Sequence, residues 1–319
     1  MGALWAIVGA TGTGKSAAAL DLAERLTAAR GVPAQIVNSD AMQLYRGMDI
    51  GTAKLPVAER RGIPHHLFDV FEPSEEATVA RYQPDARAVI GAILSGGGDA
   101  ILVGGSGLYV SSVIFDFQFP PRDSGTRAAL EAEYESAGVE PLVARLRELA
   151  PDVADAVDRR NPRRVIRALE VALLGGDATV TLPSDPVQWR AGTDHGATHI
   201  LGIACELGVL TERLDARVQG MWASGMLEEV RGLLPRGIAE GKTASRAIGY
   251  AQALAQLSGD MSERDAISET QALTRRYARR QVSWFKRYPH TTWIDQTAGQ
   301  NLSDLDSFVA GALSADPLR

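Results

Sequence analysis

Short runs of apolar residues alternate along the chain with stretches of helical periodicity. Four runs have the length and composition of buried strands, at residues 4–8, 34–37, 100–103 and 199–204, and residues 17–29 between the first two have the pattern of a helix. Strands separated by helices predict an α/β fold with a doubly wound parallel sheet. Ligands bind such a sheet beyond the carboxyl ends of its strands, so the residues that follow each run are the first candidates for a site.

The pattern changes in the middle of the chain. From about residue 117 to 198 strand signals fade, and amphipathic helices are predicted at 126–137, 140–149 and 162–174. We therefore expect a catalytic core formed by residues 1–116 and 199–319, with a helical insertion at 117–198. Further helices are predicted at 210–234 and 262–287, whereas 300–319 has no strong signal and we expect its end to be disordered.

The first strand leads directly into a complete phosphate-loop motif, G-x-x-x-x-G-K-[ST]. In a loop of this kind the backbone N–H groups face a polyanion and the following helix offers its positive N-terminus. Lys15 would reach the terminal phosphates and the Ser16 hydroxyl would bind Mg²⁺. The residues expected to bind phosphate are Gly9, Thr11, Gly12, Thr13, Gly14, Lys15 and Ser16.

Composition is typical of a soluble globular enzyme, with 45% hydrophobic and 23% charged residues and a net charge of -6. No apolar run approaches the ~20 residues that cross a bilayer. The N-terminus also lacks a secretory signal, so we expect a cytoplasmic protein with no membrane partner. The single cysteine, Cys205, excludes an internal disulfide, and its apolar neighbours predict a buried strand residue.

Two other strand ends carry candidate chemistry. Asp40 follows the second strand and could act as a general base, hold Mg²⁺ through water or cap a helix. Ser106, in the glycine-rich turn 104–109, could offer its hydroxyl to a phosphate, or the segment could be a simple strand-to-helix turn. The pair His65-His66 has no matching ligand cluster nearby, which argues against a zinc site.

Arginine is concentrated in two clusters, at 159–167 and 275–287. In the second cluster Arg275 and Arg279, and likewise Arg276 and Arg280, are four residues apart, so like charges stack on one helical face unless an anion relieves them. Aromatic residues between the arginines suit a nucleic acid, whose bases stack on rings. A solvated face is the alternative interpretation of either cluster taken alone.

Taken together, these segments resemble the tRNA dimethylallyltransferase family, also called tRNA isopentenyltransferase. The resemblance covers nearly the whole chain in order, and the segment 46–54, RGMDIGTAK, is far more specific than a phosphate loop. The segments that carry it are 9–16, 40–43, 45–54, 65–66, 104–109, 161–170, 247–250 and 275–284.

The resemblance implies a P-loop NTPase-like fold and transfer of a dimethylallyl group from dimethylallyl diphosphate to N6 of adenosine 37, beside the anticodon of a tRNA. In that family the phosphate loop holds the diphosphate with Mg²⁺, and the helical insertion grips the anticodon stem-loop. The match implies that Asp40 is the general base. Arg217 resembles the arginine that holds diphosphate in the family, Arg246 is a second candidate, and the sequence does not choose between the two. Ser106 stands where the family more often has Thr, and Ala41 replaces a frequent Ser.

The resemblance also implies which residues contact tRNA. They come from the turn after the second strand, the turn after the third, the insertion and the second arginine cluster. These residues are Asp40, Ala41, Met42, Gln43, Ser106, Arg127, Arg163, Arg164, Arg167, Arg275, Arg276, Arg279 and Arg280.

Three other functions remain open at this point. A small-molecule kinase would use the same loop for ATP, but would not need two arginine clusters. An adenylate isopentenyltransferase would share the donor and modify a free nucleotide. A noncatalytic, nucleotide-switched RNA-binding protein would leave Asp40 unexplained. We expect a monomeric tRNA-modifying enzyme.

Overall fold

A computed structural model describes residues 2–115, 119–176, 188–189, 198–299 and 301–314. In these ranges six strands form one parallel sheet in the order β3-β2-β4-β1-β5-β6. The strands are β1 (Leu4–Gly9), β2 (Gln35–Asn38), β3 (His65–His66), β4 (Ala100–Gly104), β5 (His199–Ala204) and β6 (Thr291–Asp295). The predicted α/β fold with a parallel sheet is confirmed.

Twelve α-helices are present in the same ranges, and they confirm most of the helices predicted from periodicity. They are α1 (Lys15–Arg30), α2 (Val79–Ser95), α3 (Gly107–Ile114), α4 (Ser124–Ala137), α5 (Glu140–Leu149), α6 (Pro151–Ala156), α7 (Pro162–Leu173), α8 (Leu207–Ala223), α9 (Met226–Leu233), α10 (Tyr250–Ser258), α11 (Glu263–Phe285) and α12 (Leu302–Ser314).

One predicted element was wrong, and one observed helix had not been predicted. The single helix expected at 210–234 is divided into α8 and α9, because Gly225 adopts a φ of 99° that a continuing right-handed helix excludes. Residues 302–314 form α12 although they gave no strong signal, while the expected disorder of the C-terminal end falls on residues outside the described ranges.

The core of the sheet explains why the first strand is apolar throughout. Every residue of β1 is buried, as expected for a central parallel strand covered on both faces. Trp5 packs in a cluster with Leu22, Leu26 and Ile101, and its indole N–H donates to the buried carboxylate of Asp99 at 3.0 Å. This framework fixes the carboxyl ends of β1, β2 and β4, where the polar segments begin.

The chain divides into two compact units, one of Met1–Asp116 with Val187–Arg319 and one of Phe117–Pro186. The second unit contains α4 to α7, with a core of its own around Leu130, Leu142, Leu146 and Leu169. Much of the segment between α7 and β5, which sequence analysis assigned to the insertion as far as residue 198, lies outside the described residues.

Candidate active site

The phosphate loop, Gly9–Ser16, connects β1 to α1 and is held by bonds within itself. The Thr13 hydroxyl and the Lys15 ammonium both donate to the Ala10 carbonyl oxygen, at 2.8 and 2.7 Å. Gly14 adopts a φ of 93°, and a Cβ added to Gly9 would lie 2.5 Å from the Ile203 carbonyl oxygen. Glycine is therefore required at both positions, and the loop has the shape that a phosphate site needs.

Two adjoining cavities open at this edge of the sheet. The first, here called the loop cavity, has a volume of about 340 Å³ and is lined by Lys15, Ser16 and other phosphate-loop residues. The second, the helix cavity, has a volume of about 280 Å³ and extends towards α8 and α11, with Val218, Met221 and Ile248 in its wall. Four residues line both cavities: Thr11, Asp40, Thr52 and Arg217.

The loop cavity has a positive electrostatic character. Loss of solvent lowers the pKa of Lys15 to about 8, with Asp40 opposing and Arg217 adding to that shift. Loss of solvent also lowers the pKa of Arg217, again opposed by Asp40. Lys15, which belongs to the phosphate loop, and Arg217 are both held away from water. A bound polyanion is favoured at this site because its negative charge would offset the cost of removing the two cations from water.

Asp40 occupies the position between the two cavities that a reacting group would need. It follows β2, and one carboxylate oxygen accepts the Met42 N–H at 2.9 Å, which fixes the carboxylate in the turn. The neighbouring Ala41 N–H donates to the Ser106 hydroxyl oxygen at 3.1 Å. The turns after β2 and β4, selected from sequence separately, are thus joined directly, and Ala41, Met42 and Ser106 all line the helix cavity.

The structure separates the two arginines that sequence analysis could not rank. Arg217 lines both cavities and donates to the Thr11 hydroxyl at 3.3 Å. Arg246 lines the helix cavity only, away from Lys15 and Ser16. Arg217 is therefore the better placed of the two to bind a diphosphate on the phosphate loop.

Two site residues on α11, Gln281 and Tyr277, escaped sequence analysis. Gln281 is 4% exposed, accepts the Thr11 N–H at 2.8 Å and donates to the Gly105 carbonyl oxygen at 2.7 Å. Tyr277 lines the helix cavity together with Ser106, and burial raises its pKa to about 12, which keeps the hydroxyl protonated. Both lie within the Arg-rich segment at 275–287, where the sequence pattern indicated a function for the arginines but not for the residues between them.

The segment 46–54, which carries part of the family resemblance, supports the wall of the loop cavity and the helix cavity. The Glu229 carboxylate accepts the Ile50 N–H at 2.7 Å and the Tyr250 hydroxyl at 2.5 Å. A Cβ added to Gly51 would lie 2.5 Å from the Tyr250 ring, so only glycine fits there. Lys54 is buried, and its ammonium forms ion pairs with Asp49 and Asp69 within the protein. Gln43 likewise donates to the Thr52 carbonyl oxygen at 3.1 Å while lining the loop cavity.

The exposed face of α11 forms a third cavity, here called the arginine groove. Its volume is about 640 Å³ and its lining residues are Arg276, Arg279, Arg280, Ser283, Trp284 and Arg287. Within the described ranges, none of these four arginines forms an ion pair. The Arg287 guanidinium lies over the Trp284 ring at 4.6 Å, and the Trp284 N–H donates to Ser111 at 3.1 Å. Arg280 lines both the groove and the helix cavity, so the two adjoin.

Arg275 differs from the other arginines of its cluster. It pairs with Asp215 of α8, and its side chain is 30% exposed. The repulsion expected between Arg275 and Arg279 is therefore relieved within the protein, by a carboxylate that sequence spacing did not indicate.

The arginines of the insertion fall into two groups. Arg127 and Arg167 both contact Glu170, whose carboxylate is fully buried, at 3.4 and 2.9 Å. Arg163 and Arg164 are exposed in the first turn of α7. Because anions and not cations are favoured at a helix N-terminus, this second pair is suited to binding an external anion such as a phosphate.

The remaining sequence hypotheses concern metals, Cys205 and membranes. In the described part of the chain no group of three or more His, Cys, Asp or Glu residues could hold a metal ion, and His66 lies 2.7 Å from the Gln35 side chain. The prediction that Cys205 is a buried strand residue was wrong: Cys205 is half-buried just beyond β5, and Arg213 donates to its sulfur at 3.4 Å. Among the helices of the described ranges, none combines the length and the apolar character needed to span a membrane.

Comparison with known proteins gives one consistent result. The family model for IPP transferase matches residues 43–288. A tRNA dimethylallyltransferase of Clavibacter sepedonicus is 56% identical over 290 residues, 91% of this chain and 92% of that protein. One from Mycobacterium avium is 50% identical over 296 residues, 92% of this chain and 94% of that protein.

Solved structures agree with the sequence relatives. The full-length tRNA isopentenylpyrophosphate transferase of Bacillus halodurans is 36% identical with a TM-score of 0.69, covering 98% of this chain and 97% of that one. A eukaryotic dimethylallyltransferase acting on tRNA is 26% identical with a TM-score of 0.77, covering 99% of this chain and 78% of that one. The chain therefore belongs to the tRNA dimethylallyltransferase, or IPP transferase, family.

Proposed function

We propose that this protein transfers a dimethylallyl group from dimethylallyl diphosphate to N6 of adenosine 37 in tRNA, giving N6-(dimethylallyl)adenosine and diphosphate. The observation that carries the proposal is the position of Asp40 and Arg217, each of which lines both the loop cavity and the helix cavity. A donor with its diphosphate in the loop cavity would present its allylic carbon beside Asp40, and an adenine could enter by the helix cavity.

In the proposed reaction the bond between N6 and the allylic carbon forms as the bond from that carbon to the diphosphate oxygen breaks. Negative charge passes to the diphosphate, where Lys15 and Arg217 stabilise it as it develops. Asp40 accepts the N6 proton, since one of its oxygens is held by the Met42 N–H and the other is available to the amine. Ser106 holds the turn after Asp40 through the Ala41 N–H.

A magnesium ion fits the loop cavity. Ser16 offers an oxygen ligand there, with the Asp40 carboxylate on the same cavity, and Mg²⁺ characteristically uses few protein ligands together with phosphate oxygens and water. Ser16 would hold the ion, with Asp40 within the same cavity for a contact through water. When bound, the ion supplies further charge neutralisation to the diphosphate.

An RNA acceptor is favoured over free AMP by the arginine groove. Four arginines without ion pairs in the described chain line an open groove that adjoins the helix cavity at Arg280. A single nucleotide would fill the helix cavity and leave that groove without a function, whereas a polynucleotide would neutralise the arginines with its phosphates. We also propose, from the sequence, that the protein acts as a cytoplasmic monomer.

The test is incubation of the purified protein with Mg²⁺, dimethylallyl diphosphate and either unmodified tRNA or AMP, followed by mass analysis of the nucleosides. We expect one dimethylallyl group on adenosine from tRNA and none on AMP. Transfer to AMP alone would move the protein to the free-nucleotide class, and transfer to neither would overturn the proposal.

A further inference from the structure

The strongest unassigned feature of the site is the buried amide of Gln281. Its carbonyl oxygen accepts the Thr11 N–H of the phosphate loop at 2.8 Å, and its amide nitrogen donates to the Gly105 carbonyl oxygen at 2.7 Å. The first partner can only donate and the second can only accept, so the two bonds together determine the orientation of the amide. Gln281 therefore joins the turn after β1 to the turn after β4 from a third element, α11.

The same part of α11 also reaches the turn that carries Asp40. Tyr277, one helical turn before Gln281, lines the helix cavity together with Asp40, Ala41 and Ser106. Ser106 accepts the Ala41 N–H at 3.1 Å. Gln281 thus joins the phosphate loop to the turn after β4, and Ser106 joins that turn to the turn of Asp40.

The close approach of the Gln281 amide also restricts which residue fits in the turn after β4. A Cβ placed on Gly105 would lie 2.3 Å from the Gln281 amide nitrogen. Gly105 has no positive φ that would itself require glycine. The absence of a side chain at Gly105 is therefore explained by the close approach of the Gln281 amide.

The bond from the Thr11 N–H to Gln281 supports the phosphate loop from outside the loop. The other bonds described for the phosphate loop, from Thr13 and Lys15 to Ala10, lie within the loop itself. Only Arg217 and Gln281, among the described hydrogen-bonding side chains, reach Thr11 from outside. A phosphate site depends on the fixed direction of backbone N–H groups, and that direction is set by such supporting contacts.

We propose that Gln281 is a positioning residue, which holds the phosphate loop against the turns that carry Ser106 and Asp40 and so sets the affinity of the site for a diphosphate. This inference rests on the proposed function in one respect, that the loop binds a diphosphate group. It predicts that loss of the amide weakens binding in the loop cavity while the arginine groove, on the exposed face of the same helix, keeps its affinity for RNA.

The experiment measures binding of inorganic diphosphate with Mg²⁺ by calorimetry, and binding of an anticodon stem-loop RNA separately, in the full-length protein. Gln281→Leu keeps most of the side-chain volume and removes all the bonds. Gln281→Glu keeps the acceptor for Thr11, cannot donate to Gly105 and adds a negative charge. Gln271→Leu is the matched control, because Gln271 is also on α11 and donates to a backbone carbonyl, that of Asp215, at 3.1 Å.

We expect Gln281→Leu to weaken diphosphate binding by about tenfold or more and Gln281→Glu by at least as much, with RNA affinity within about twofold and the control unchanged, because the Thr11 N–H and the turn after β4 would no longer be held in place. Steady-state kinetics would show a raised KM for the donor and an unchanged KM for RNA. Diphosphate binding within twofold of wild type in both variants, or an equal loss of RNA affinity, would overturn the inference.

A second variant keeps the test decisive if Gln281→Leu does not fold. Gly105→Ala displaces the Gln281 amide without altering the buried side chain, and it should weaken diphosphate binding in the same way. Because diphosphate binding requires no transfer, a wild-type protein that binds diphosphate but modifies no RNA would count against the proposed function and leave this inference intact.

Discussion

The Arg217 guanidinium donates to the Thr11 hydroxyl at 3.3 Å, and both residues line the loop cavity and the helix cavity. Arg217 belongs to α8 and Thr11 to the phosphate loop, so this contact brings a cation from another helix to the apex of the loop. Loss of solvent lowers the pKa of this arginine, and the Asp40 carboxylate opposes that shift.

Replacing Arg217 should therefore impair donor binding. We expect Arg217→Ala to raise the KM for dimethylallyl diphosphate by about tenfold or more, as is typical when a charged hydrogen bond is lost. The nearby Arg246→Ala is the control, since Arg246 lines only the helix cavity. A larger rise in donor KM for Arg246→Ala than for Arg217→Ala would reverse the assignment.

Asp40→Asn should separate chemistry from binding. The amide oxygen can still accept the Met42 N–H, so the turn should keep its shape, but it cannot take the N6 proton. We expect single-turnover transfer to slow by about 10²- to 10⁴-fold. Affinities for donor and RNA, measured separately, should stay within a few fold, and a comparable loss of RNA affinity would make Asp40 a recognition residue instead.

The pKa of Lys15 gives a pH dependence with a definite sign. Its pKa is lowered to about 8, so the ammonium that attracts diphosphate is lost as the pH rises through that value. We expect kcat/KM for the donor to fall above about pH 8, because kcat/KM reports ionisations of the free enzyme. Lys15→Arg keeps its charge in that range, and its kcat/KM should stay flat. The same fall in Lys15→Arg would exclude Lys15 as its origin.

The arginine groove predicts a change in salt dependence. Each phosphate contact that is removed should reduce the slope of log K against log salt by about 0.7 to 1. Arg276→Ala should show this reduction, measured by RNA binding at several salt concentrations. Arg275→Ala should not, because Arg275 is already paired with Asp215. Equal slopes for wild type and Arg276→Ala would place this face in solvent.

The buried carboxylate of the insertion predicts an effect on stability. Glu170 is fully buried, contacts Arg127 and Arg167 and also accepts the Asp123 N–H at 3.1 Å. Glu170→Ala should destabilise the helical unit by about 2 to 3 kcal/mol, because one buried acceptor of three donors is lost while both arginines keep partial access to solvent. Glu131→Ala removes only a partly exposed contact to Arg127 and should cost about 1 kcal/mol or less. Thermal unfolding measures both, and equal transitions for the two variants would contradict this account.

The elements of the sheet that have a strong local pattern could be predicted from the sequence. The phosphate loop and the four apolar strands follow from local patterns, and the structure has them where they were expected. β3 and β6 were missed: β3 has two residues, and β6 exposes three of its five residues on the sheet edge, so neither has the apolar run of a central strand. Pairing with β2 and β5 defines them.

The supporting residues of the site could not be predicted, for a physical reason. Gln281 meets Thr11 across 270 positions of sequence, and Glu170 meets Arg127 across 43. Local periodicity contains no information on such contacts. It identified the charges of the second arginine cluster and of the insertion, but not which of them, Arg275, Arg127 and Arg167, are paired within the protein.

The central claim is transfer to the exocyclic amine of one adenosine, and the most direct test uses two anticodon stem-loops that differ only at position 37. One carries adenosine and the other inosine, which has an oxygen in place of the N6 amine. Each is incubated with Mg²⁺ and dimethylallyl diphosphate, and product is located by mass analysis of fragments. We predict a single dimethylallyl group at position 37 of the adenosine stem-loop and none on the inosine stem-loop. Equal modification of both, or modification at another position, would contradict the account.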